Sequence, residues 1–103
     1  STRRGLMDSA YNERRQQCEQ AARHFGVPAL RDVSTERWDR LANGLDVIRR
    51  RRARHVISEN NRTREAAHAL TRGAVDVVGR LMGESHRSLR DDFEVSSTAL
   101  DVM

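Results

Sequence analysis

Cys18, four histidines (His24, His55, His68 and His86), the adjacent carboxylates Asp91-Asp92 and the run Arg49-Arg50-Arg51-Arg52 with Arg54 carry the most chemical potential in this sequence. A metal site needs ligands gathered in space, commonly at i and i+3 or i+4 on a helix. No two of the histidines have that spacing, and Cys18 has no second cysteine to join it. No metal site is therefore expected. A Cys–His nucleophile pair stays open at this level. Cys18 nevertheless falls on an apolar helix face, where a free cysteine behaves as a small hydrophobe.

Paired carboxylates that act as acid and base must face each other across a cleft. Neighbours on one helix point about 100° apart, so Asp91-Asp92 fits an ion-pair or capping role better. Clustered arginines can hold nucleic-acid phosphates. On a helix, however, Arg49 to Arg54 point around most of the circumference, and Asp46 and Glu59 are close enough in sequence to pair with them. No aromatics interleave with them for base stacking. A solvated helix face is the favoured reading, and nucleic acid is not the expected partner. The glycines are scattered and form no phosphate-cradling loop.

Helices must position all of these groups. Tyr11, Cys18, Ala22 and Phe25, with Ala21 beside them, fall on one face at spacings of three, four and seven. Ser9 is the expected cap of that helix, and Gly26 with Val27-Pro28 its stop. A short extended segment is expected from Ala29 to Val33. Ser34 should cap a second helix with Trp38, Leu41 and Leu45 as its buried stripe, stopped at Asn43-Gly44.

A third, long helix is expected from about Asp46 to Arg72 and ended by Gly73. Its stripe reads Val56, Asn60, Thr63, Ala67 and Leu70, flanked by Ala53, Ile57 and Ala66. A fourth runs from about Val75 to Asp91, with Val78, Leu81, Met82, Ser85 and Leu89 in line and Val77 alongside. Gly79 and Gly83, four apart, predict a close helix contact there. A last helix should begin at Ser97 and reach Met103. No segment alternates with period two, so the fold class is all-α, with four to five helices.

Composition narrows the rest. Hydrophobic residues are 37% and charged residues 33%, against a globular norm of roughly 45–50% and about 25%. The core is thin for its length, which suits a segment that leans on more protein. One Trp, one Tyr and two Phe leave that core to aliphatic residues. All 19 cationic residues are arginine, and the net charge is +4. A single cysteine excludes an internal disulfide framework. No stretch approaches the ~20 apolar residues of a membrane span, and no apolar run marks a signal peptide. A cytoplasmic location without a membrane partner is expected.

Several strings, read in order, resemble galactokinases, members of the GHMP family of small-molecule kinases. They are Ser9-Ala-Tyr-Asn-Glu-Arg-Arg-Gln-Gln-Cys-Glu-Gln-Ala-Ala22, Leu30-Arg-Asp-Val33, Arg52-Ala-Arg-His-Val-Ile-Ser-Glu-Asn60 and Leu81-Met-Gly-Glu-Ser-His-Arg-Ser-Leu-Arg-Asp-Asp-Phe-Glu-Val-Ser96. The resemblance spans nearly the whole chain and is weakest from Ser34 to Arg51. It implies an α+β two-lobed GHMP-kinase-type parent with its active site between the lobes. Residues 1–103 would be part of the C-terminal lobe, packed against the remainder of that lobe.

The implied activity is ATP-dependent phosphorylation of galactose at its anomeric hydroxyl, with ATP and Mg²⁺ held elsewhere in the parent and neither bound by this segment alone. The isolated segment is expected to be inactive. Tyr11 matches the family tyrosine that contacts the galactose ring, and its phenol offers a donor and an acceptor to a sugar hydroxyl. Arg3 matches an arginine near the catalytic aspartate, where it would hold a carboxylate ionised and offset phosphoryl charge. The alternatives are a stand-alone basic helical binding module that uses the Arg49–Arg54 surface and a non-catalytic galactokinase-like sugar sensor.

Overall fold

The computed structural model describes the backbone of residues 2–95 and the side chains of residues 9–95. The helix expected from Ser97 to Met103 lies outside them. Four helices follow one another: α1 (Thr2–Phe25), α2 (Thr35–Leu41), α3 (Val47–Thr71) and α4 (Val75–Asp91). Two single 3₁₀ turns, Leu30–Asp32 and Ala42–Gly44, complete the order. There is no strand among the described residues, so the segment is all-α.

The helix ends follow local chemistry. At the end of α1, Gly26 takes φ +71°, its N–H donates to Arg23 O (3.0 Å), and Val27 N–H donates to Ala22 O (3.1 Å). That is the Schellman arrangement, which needs a left-handed residue just past the helix. The end of α3 repeats it: Gly73 has φ +70°, with Gly73 N to Leu70 O at 3.1 Å and Ala74 N to Ala69 O at 2.8 Å. Ser34 Oγ caps α2 by accepting from Arg37 N at 3.1 Å. Asp46 Oδ2 caps α3 by accepting from Arg49 N at 3.2 Å. That backbone N–H, with the Arg49 guanidinium behind it, holds the Asp46 carboxyl below its usual range.

Ser9 is not a cap. The helix runs through it back to Thr2, because residues 2–8 hold one glycine and no proline to interrupt it. The segment read as extended is instead the 3₁₀ turn Leu30–Asp32. Asp32 N bonds to Ala29 O at 2.9 Å and Val33 N to Leu30 O at 3.0 Å. Only its flanks, Ala29 and Val33, are extended.

The main core lies where α1, α3 and the 26–45 connection meet. Ala21, Ala22, Phe25, Leu30, Val33, Ala42, Leu45 and Ala53 are buried there, with Trp38, Leu41, Val56 and Ile57 packed against them. Phe25 is its centre. It stacks on Trp38 with centroids 5.6 Å apart and planes 17° apart, and His24 meets it edge-on at 5.4 Å. His24 Nε2 donates to Leu41 O at 2.7 Å, which ties the end of α1 to α2. Alanines at 21, 22 and 53 let α1 and α3 come close with little side chain between them.

Three expected stripes hold only in part: Ala21, Ala22 and Phe25 on α1, Ala53 on α3 and Leu81 on α4 are buried as expected, but other members are not. Tyr11 does not join the α1 stripe and is 70% exposed. Among the described side chains of α1, the first to hydrogen-bond to a distant segment is Arg14, one turn further on. On α3 the buried positions are Arg52, Ala53, His55 and Ala69, while Leu70 is exposed. On α4 they are Leu81 and Ser88, while Met82 is exposed. Both helices turn a partly polar face toward each other, which apolar spacing could not reveal. The close contact expected at Gly79 and Gly83 is also absent among the described residues. A side chain at Gly79 would meet open space, and one at Gly83 only the Arg87 guanidinium at 3.6 Å.

Candidate functional site

Polar side chains at three- and four-residue spacing line the facing sides of α3 and α4: Arg52, His55, Glu59 and Arg62 on one, Ser85, Ser88 and Asp92 on the other. They pair in antiparallel order. Arg54 bridges Asp92 at 3.3 Å, His55 Nδ1 lies 2.8 Å from Ser88 Oγ, and the Ser85 hydroxyl donates to Glu59. Arg80 and Glu65 approach to 3.8 Å at the far end.

Arg52 anchors one end of this layer. Its guanidinium is 3% exposed, yet it donates to Gln17 Oε1 (2.9 Å), the Asp92 carbonyl (2.9 Å) and Glu94 Oε1 (3.0 Å). A buried cation is tolerated only when so satisfied. Arg14 adds a second clamp, with Nε donating to Phe93 O at 2.7 Å. Glu94 reaches Arg52 from a left-handed backbone position, φ 58°, uncommon for a residue with a side chain. The Arg52 hydrogen bond holds the Glu94 carboxyl below its usual range.

Burial dominates at His55 and pushes its pKa down. The Glu59 and Asp92 carboxylates pull it upward, while Arg62 adds to the depression. The Phe93 ring covers His55 at 4.8 Å. At Glu59, burial works against the charge, but hydrogen bonds from Ser85 and Arg62 outweigh it and lower the pKa. Arg62 Nε donates to Glu59 at 2.9 Å, and its buried Nη2 has no partner among the described residues.

The layer is built to hold helices rather than to turn over a substrate. His55 and Ser88 are both buried, so their pair has no path to an external carbonyl or phosphoryl group. Sequence periodicity missed the layer because it followed apolar residues. The signal was present as polar residues at the same spacing on two consecutive helices.

Tyr11 stands outside the layer, on the exposed flank of α1. Its ring is 70% exposed, and it lines neither the groove between α2 and α3 nor the smaller hollow between α3 and α4. Arg3 lies on the same helix eight residues earlier, about 12 Å along the axis, and its side chain is outside the described set. Cys18 is half-buried, burial raises its thiol pKa, and no histidine hydrogen-bonds to it among the described residues. The Cys–His reading has no geometric support.

The arginine run is largely engaged within the chain. Arg49 bonds Asp46 at 3.1 Å and Gln20 at 2.6 Å, and Arg54 pairs with Asp92. Arg50 reaches Asn43 at 3.5 Å, and Arg52 is buried. Asp91 pairs with Arg90 at 2.9 Å, so both carboxylates of the Asp91-Asp92 pair are in ion pairs. Among the described residues no cluster of His, Cys, Asp and Glu side chains could hold a metal ion. No described helix is long and apolar enough to cross a membrane. No protein-family model matches the chain.

Proposed function

We propose that the chain is part of the C-terminal lobe of a galactokinase-type sugar kinase, inactive by itself, in which Tyr11 contacts the sugar. One observation carries the reading. Three of the strings that resemble galactokinases meet in a single layer: Arg14 and Gln17 from the first, Arg52, His55 and Glu59 from the second, Ser85, Ser88, Asp92 and Phe93 from the third. Residues that make the resemblance are thus the residues that fix α1, α3 and α4 to one another. Phosphoryl transfer depends chiefly on positioning and electrostatics, so a rigid helical frame that presents Tyr11 is what such an enzyme requires of this segment. The described residues do not form a cation site, and no step through Mg²⁺ or ATP is assigned to them.

The reaction would move the terminal phosphoryl group of ATP to the anomeric hydroxyl of galactose. Tyr11→Phe in the complete enzyme tests the assignment. Loss of the phenolic hydroxyl should raise the Michaelis constant for galactose about tenfold and leave that for ATP within about twofold, as removal of one hydrogen bond to a bound sugar predicts. Unchanged galactose kinetics would remove Tyr11 from the site.

A further inference from the structure

A groove of about 490 Å³ separates one face of α3 from the segment that runs from the first 3₁₀ turn into α2. Its size falls within the range of small-molecule sites, about 300–1,000 Å³. Arg54, Ile57, Asn61 and Arg64 line it from α3, and Arg31 and Trp38 from the other side. No Asp or Glu among the described residues lines it. Arg54 is shared with Asp92, whereas Arg31 and Arg64 have no ion-pair partner among the described residues. Beside these cations, Val33, Trp38 and Ile57 form an apolar part of the lining, next to Ser34, Thr35, Ser58 and Asn60. Phe25 stacks on the Trp38 indole and fixes its plane, and Ile57 lies on α3 among the same lining residues.

We propose that this groove binds a phosphate ester carried on a flat, largely apolar body. Arg31 and Arg64 take the phosphate, and Trp38 with Ile57 receives the body. Guanidinium forks match phosphate oxygens bidentately, and a dianion neutralises two of them where a single carboxylate would leave charge over. The Asn61 amide can donate to, or accept from, a hydroxyl on the ligand. One aromatic wall suits one ring, not a strand of stacked bases. Tyr11 does not line the groove, so the proposal stands apart from the sugar-kinase reading.

Trp38 is the only tryptophan in the chain, so its fluorescence reports on the groove directly. The probe is phenyl phosphate in low-salt buffer, compared with phenol and with inorganic phosphate. A saturable change with phenyl phosphate is expected, with each half-ligand binding about tenfold or more weakly. Arg31→Gln combined with Arg64→Gln should weaken phenyl phosphate by about tenfold or more, since charge-assisted bonds are lost. Both positions are exposed, so the variant keeps its fold. Arg80→Gln, on α4 and away from the groove, should bind as the parent does. No saturable change, equal binding of phenol, or an unaltered double variant would each overturn the proposal.

Discussion

His55 Nδ1 and Ser88 Oγ lie 2.8 Å apart across α3 and α4, both buried, under the ring of Phe93. This contact places a titratable group in the middle of a helix interface. Its consequences can be measured.

The first concerns pH. The folded pKa of His55 is depressed from the ordinary 6.5. The unfolded chain therefore gains a proton before the folded one does. The stability due to neutral His55 is complete above about pH 6.5 and is lost as pH falls from there toward the folded pKa. Urea midpoints taken from pH 7.5 down to 5 should fall in the parent. In His55→Gln the decline over that window should be shallower, whatever the starting stability. An equally steep decline in the variant would show that other groups control it.

The second contrasts neighbours in the arginine run. Arg52→Met removes a buried guanidinium with three partners on two other segments. Glu94 is 46% exposed at its side chain and can regain water, so the loss should be about 2 kcal/mol rather than the larger figure for a wholly buried pair. Arg51→Met, at an exposed position, should change stability by less than about 0.5 kcal/mol. Denaturant unfolding of the two variants measures the difference.

The third concerns the helix ends. Gly26→Ala and Gly73→Ala each force a side chain into a left-handed backbone, at about 1 kcal/mol. The new methyl group would meet only Arg37 Nη1 at 3.7 Å in the first case and nothing within 4 Å in the second. The two variants should therefore lose similar stability by thermal unfolding. A much larger loss at Gly26 would mean that the methyl group crowds the Arg37 side chain after all.

The fourth separates structure from recognition at Tyr11. Because the ring is 70% exposed, Tyr11→Ala should leave the melting temperature of the chain within about 2 °C. A large drop would place the ring in a packing role and weaken its assignment to a sugar contact.

Much of the fold was legible because its punctuation is local. Ser34, Asp46 and Gly73 mark ends that chain chemistry alone dictates, and α4 begins and ends where its pattern says. The faces were less legible. Apolar spacing on α3 pointed to Leu70, which is exposed, and passed over Arg52 and His55, which are buried. A buried arginine is stable only with partners 35 to 42 residues away, and local periodicity carries no information about those. Tyr11 fits an apolar stripe by spacing, yet its ring is 70% exposed. Among the candidate residues, Tyr11 was named from a resemblance, whereas the groove beside Trp38 has no sequence pattern at all. It arises from the way the 26–45 connection folds over α3.

Arg52 belongs to α3, yet its guanidinium joins Gln17 of α1 and the chain just beyond α4. A single side chain therefore couples the opening fluctuations of three segments distant in sequence. Amide protons in the middle of α1, the first half of α3 and the last turn of α4 should exchange with solvent as one cooperative unit, slower than the α3–α4 turn at Gly73. Without that cation the three would become separate units, each opening at its own rate.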